Sequence, residues 1–135
     1  MAGVLREAAA LLRRRAAEAA GSADERWMVD QDESGGLVLA VFMPEEVAPD
    51  CTVSSGILAS FAYPDSPERA THAGALGSAA HMAALDPPAA VALAAWLETM
   101  ADFADRAEEL GDLRGAAPLL EPAVRFARVY LRTAE

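Results

Sequence analysis

The sequence predicts an α+β fold: an N-terminal helix, a small antiparallel three-stranded sheet, then a short helix and two longer C-terminal helices. Three observations carry that prediction. Apolar residues recur at three- and four-residue steps at both ends of the chain, β-branched and aromatic runs broken by Gly and Pro fill the middle, and Asp86-Pro87-Pro88 marks a helix start. A chain of 135 residues has the usual length of one domain, and residues 1–135 are read as a single domain.

The first helix is expected over Ala2 to Ala20, with Val4, Leu5, Ala8, Leu11, Leu12, Ala16 and Ala19 on one stripe and Gly21-Ser22 as its stop. Two extended runs follow, Trp27 to Val29 and Leu37 to Phe42, separated by the polar and glycine residues 30–36; this spacing predicts a β-hairpin. Pro44 and Pro49 break the second run, and Thr52 to Tyr63 is a third strand that ends at Pro64. Asp65 to Gly77, punctuated by Pro67 and Gly74, reads as a loop leading to a short helix from Ser78 to Leu85.

Asp86 can accept from the free amides of a first turn, where proline gives up no internal bond, so a long helix is expected from Pro87 to about Leu110 with Gly111 as its end. Its stripe of Leu93, Trp96, Leu97, Met100, Phe103 and Ala104 makes it the expected organising element, packed on the sheet or on the terminal helices. Pro118 and Pro122 are both placed in the first turn of the last helix, along which Val124, Ala127, Tyr130 and Leu131 recur at helical spacing.

Hydrophobic residues make up 53% of the chain but aromatic residues only 6%, so the core must be built from Leu, Val, Met and a few rings packed against alanine. The net charge of −10 argues against nucleic acid or an anionic membrane as a direct partner, because both attract clustered cations. All eleven basic residues are Arg, which with the alanine excess fits a GC-rich genome such as that of an actinobacterium or one of its phages. Cys51 is the sole cysteine, so neither an internal disulfide nor a cysteine-based metal site within one chain can form. Charged residues from Arg6 to Glu18 interrupt any apolar run in the first helix, and the expected location is the cytoplasm, without membrane insertion.

The residue types that carry chemistry do not converge. His72 and His81 stand nine apart without further ligands at helical or finger-like spacing, and His81 reads as a structural residue near a helix end. Cys51, Ser54, Ser55 or Ser78 could act as a nucleophile only beside one of these histidines, and the Gly-x-Ser-x-Gly elbow is absent. Gly74-Ala75-Leu76-Gly77 lacks the lysine and further glycine of a phosphate loop. Asp102 with Asp105, Glu108 with Glu109, and the run Arg13-Arg14-Arg15 read as solvated helix faces. The expectation is therefore no catalytic residue, no metal site and no cofactor.

The leading Leu-Arg-x-Ala-Ala helix, Trp27-x-Val29, Ala80-His81-Met82-Ala83-Ala84-Leu85-Asp86-Pro87, Ala92-Leu93-Ala94-Ala95-Trp96-Leu97-Glu98 and the closing Ala127-Arg128-Val129-Tyr130-Leu131 occur in that order. In this order the chain resembles a group of small actinobacterial phage and prophage proteins, themselves similar to the Ead-type early proteins of lambdoid phages. Where that group has Thr-Pro-Gly-Pro-Trp before the first strand, this chain has Gly21 to Trp27 with Ser22, Ala23, Asp24, Glu25 and Arg26 between. The resemblance implies an accessory gene of a mobile element and carries over no catalytic residue.

The preferred expectation is a non-enzymatic protein-interaction module that acts on a host protein or associates with itself, with Trp96, Met100 and Phe103 as its candidate partner surface. An alternative is an acidic mimic of DNA that occupies a nucleic-acid-binding protein, built from Asp24, Glu25, Asp30, Asp32, Glu33, Glu45, Glu46 and Asp50 with the acids between Glu98 and Asp112. A second alternative is a small hydrolase in which His72 or His81 meets a nucleophile in a cleft.

Overall fold

The computed structural model describes residues 1–19, 25–32, 35–42, 53–62 and 72–132. Its elements, in chain order, are α1 (Ala2–Ala19), β1 (Arg26–Asp32), β2 (Gly35–Phe42), β3 (Val53–Ala62), α2 (His72–Ala83), α3 (Pro87–Glu109) and α4 (Leu113–Arg132), the α+β order expected. They fall into two compact units, Met1–Glu18 with Ala90–Glu135, and Ala19–Ala89. Charge divides unevenly between them: the sheet unit holds eleven acids against two arginines, the helical unit ten acids against nine arginines, so almost all of the net −10 belongs to the sheet unit.

In the helical unit, alanine decides how the helices meet. The main buried cluster joins Leu5, Ala8, Ala9, Leu12 and Ala16 of α1 to Ala90, Ala94, Leu97 and Ala101 of α3 and Ala123, Val124 and Ala127 of α4. A methyl group occupies little space between helix axes, so backbones approach closely and the few leucines fill what remains. Leu5, Leu12, Leu97 and Leu120 are fully buried. Arg6 bonds Asp102 and Asp105 while Arg13 bonds Glu98, and this order of partners shows that α1 and α3 run antiparallel.

The helix ends are specified locally. Pro87 and Pro88 have no N–H, and the amide of Ala89 donates to Asp86 Oδ1 at 3.0 Å, so the exposed donors of the first turn of α3 are removed or met. At its other end Gly111 takes φ 71°, its N–H donates to the carbonyl of Glu108, and the N–H of Asp112 donates to that of Ala107. This is the paired bonding of a glycine C-cap. Asp112 also starts α4, accepting at its carbonyl from Ala116 N, and a Cβ on Gly115 would collide with its carboxylate.

Pro118 and Pro122 lie in the interior of α4, not in its first turn as the sequence suggested. Each interior proline removes one helical bond. Both are exposed and four residues apart, on the face turned away from buried Ala116, Leu120, Ala123, Val124 and Ala127. The carbonyls left without a donor are those of Arg114 and Pro118, which belong to exposed residues where water can bond them.

In the sheet unit β1, β2 and β3 form an antiparallel meander with β2 at the centre. Pairing continues to Asp32 opposite Gly35, so the strands include Asp30 and Gly36, which the sequence reading had put in the connecting loop. The register of β2 with β3 shifts between Val38 and Leu39 and again between Ala40 and Val41. Extra residues of this kind bend and twist a strand. Leu37, Val38, Ala40 and Val41 are buried, as expected of a central strand. α2 packs against all three strands. It begins at His72, whereas the sequence reading had a loop to Gly77 and a helix from Ser78 to Leu85. Each internal glycine costs a helix about 1 kcal/mol, and packing on the sheet offsets what Gly74 and Gly77 withdraw.

Candidate interaction surface

α3 separates the three residues that the sequence grouped as a partner surface. Buried Ala90, Ala94, Leu97, Ala101 and Ala104 define its inward face, and Met100 is half-buried against the same clusters. Trp96 and Phe103 lie on the outer flank, each 41% exposed. The expected stripe held the bulkiest residues of α3; the helix is instead rotated so that its alanines face α1 and α4, and Trp96 and Phe103 do not enter the core. They are seven residues apart, two turns and about 10 Å along the axis. Two aromatic side chains on one helix flank, half in water, are suited to insert into pockets of a partner.

The other flank of α3, across the buried face from Trp96 and Phe103, is held by ion pairs. Arg6 Nη2 lies 2.9 Å from Asp102 Oδ1 and 2.6 Å from Asp105 Oδ2, and Arg13 grips Glu98 through Nε at 2.9 Å and Nη2 at 2.6 Å. The bonds donated by Arg13 hold the Glu98 carboxyl below its ordinary pKa, and donating to Asp105 and Asp102 raises the Arg6 guanidinium above its own, as donating to Glu98 does for Arg13. These acids are accordingly bridged to α1 across the bundle.

Sequence reading missed two further features, both on α4. Leu119, Pro122, Phe126 and Val129 form a second outer stripe on which Leu119 is 67% exposed and Val129 55%. Phe126 stacks on Tyr130 with ring centres 5.8 Å apart, and the guanidinium carbon of Arg15 sits 5.2 Å from the centre of the Tyr130 ring. On the neighbouring face Arg125, Arg128 and Arg132 recur at three and four residues, and the latter two border a cleft against Arg14 of α1. The spacing of those arginines is visible in the sequence; their meeting with Arg14 is not.

Of the residues considered for catalysis, the structure brings together only Ser78 and His81 among the described residues, one turn apart on α2. His81 and Ser78 are both exposed on α2, and the side chains of His72, Ser54 and Ser55, with the whole of Cys51, lie outside the described residues. Among the described residues no group of three or more His, Cys, Asp and Glu is placed to hold a metal ion. Of the acids considered as a DNA-like surface, Glu25 is buried and accepts from Trp27 Nε1 at 3.3 Å, while Asp30 is exposed. Asp24, Glu33, Glu45, Glu46, Asp50 and the side chain of Asp32 lie outside the described residues. No helix among the described residues is long and apolar enough to cross a membrane.

No protein-family model, curated protein or solved structure matches this chain.

Proposed function

We propose that the chain is a protein-binding module whose contact surface is the outer flank of α3. The observation that carries the reading is the exposure of Trp96 and Phe103, two rings in register on the flank of a helix whose inward face is a core of alanine and leucine. Exposed aromatic side chains lose favourable free energy in water and recover it in a partner's pocket, which is why Trp and Tyr dominate the energetic centres of interfaces. The resemblance of the chain to phage accessory proteins supports a host protein as the partner.

The test replaces the exposed rings and leaves the fold intact. Photo-crosslinkers placed at 96 and 103 in the cells that express the protein should trap one defined protein, the same from both positions. The double variant Trp96→Ser/Phe103→Ser should lose that partner in a pull-down, and Arg114→Gln should retain it. A folded double variant that keeps every interaction of the parent chain would refute the reading.

A further inference from the structure

From the cleft between α1 and α4 we infer a second binding site, independent of the α3 flank, for an acidic amphipathic helix of a protein partner. Arg14 of α1 and Arg128 and Arg132 of α4 surround it, Leu11 and Leu131 line it between them, and Glu7 stands at its edge. Arg125 extends the basic row along α4. None of Arg14, Arg125, Arg128 and Arg132 has a side-chain hydrogen bond or ion pair among the described residues, whereas Arg6, Arg13 and Arg106 are all bonded to carboxylates. Four unpaired guanidinium groups on α1 and α4 concentrate positive charge locally in a unit whose ten acids and nine arginines otherwise nearly balance.

The chemistry of the cleft selects the occupant. A guanidinium presents parallel N–H donors that match a carboxylate in bidentate fashion. Arg125, Arg128 and Arg132 span about two turns of α4, about 10 Å, so they match acids at three- and four-residue spacing on a facing helix. Half-buried Leu131, with the small exposed part of Leu11, offers apolar surface between the charges, which a leucine or phenylalanine side chain of such a helix would cover and a sugar-phosphate backbone would not. A phosphate chain would also meet Glu7 at the edge, where a helix can present an apolar or basic residue instead.

A displayed library of twelve-residue peptides selected against the full chain tests the assignment, with duplex DNA and inorganic polyphosphate as separate binding arms. Enriched peptides should carry Asp or Glu and Leu or Phe at helical spacing on one face. Arg128→Gln/Arg132→Gln should weaken them tenfold or more, and raising NaCl from 50 to 300 mM should weaken them as well. Trp96→Ser/Phe103→Ser should leave their affinity unaltered, which separates this site from the α3 flank. Selection that yields no peptides, peptides without acidic bias, binding indifferent to the arginine substitutions in a folded variant, or DNA or polyphosphate held as tightly through the same arginines would each overturn the inference.

Discussion

Leu97→Ala and Trp96→Ala, adjacent substitutions on one helix, should differ sharply in cost. Leu97 is 0% exposed and sits in a cluster of which eight of the twelve buried residues are alanine. Removing three buried carbon groups forfeits about 2.4 kcal/mol of transfer free energy at about 0.8 kcal/mol each. The surrounding methyl groups are too short to reach into the space, so a residual void on the order of 50 Å³ adds about 1.2 kcal/mol. The sum, about 3.6 kcal/mol, corresponds to a fall in Tm of about 12–15 °C for a domain of this size. Trp96 is already 41% exposed, and its truncation loses on the order of 60 Å² of burial, about 1.5 kcal/mol. Thermal and guanidinium unfolding of both variants, with the slope against denaturant checked for constancy, measures the difference. Equal losses, or a larger loss at Trp96, would show that the ring and not the leucine faces the core, and the alanine-based packing of α3 would be wrong.

Gly111→Ala should cost about 1 kcal/mol, because φ 71° is unfavourable for a residue with a Cβ although nothing nearby obstructs one; calorimetry reads the shift, and an unchanged Tm would remove the proposed cap. Asp86→Ala should cost about 1 kcal/mol by stripping the acceptor from Ala89 N, with Asp86→Asn recovering most of it. Glu98 has a folded pKa held below its ordinary value of 4.5 by Arg13, so its contribution to stability is present above that pH and is lost as pH falls through the folded value. Carboxyl NMR titration should find the lowered pKa and should see it return toward 4.5 in Arg13→Gln; a Glu98 that titrates identically in both proteins would mean the ion pair does not persist in water.

Local chemistry fixed the order and type of the elements. Asp86-Pro87-Pro88 and Gly111 bound α3 whatever surrounds them, because a cap needs only side chains and amides within a few residues; Gly21-Ser22 and Pro64, the expected stops of α1 and β3, lie outside the described residues. Where a distant surface decides, sequence reading erred. The start of α2 at His72 depends on its packing against the sheet, and the interior prolines of α4 depend on a face left open to water. The same holds for the candidate site. That α3 carries an aromatic stripe is written in its spacing, but which flank turns inward is a choice between bulky and small residues that one helix cannot make alone. Close approach of α1 and α4 favours Ala94 and Ala101 at the contact and leaves Trp96 and Phe103 outside. The unpaired arginines of α4 likewise become a site only where Arg14 is brought beside them, a meeting of residues more than a hundred positions apart that only the tertiary structure decides.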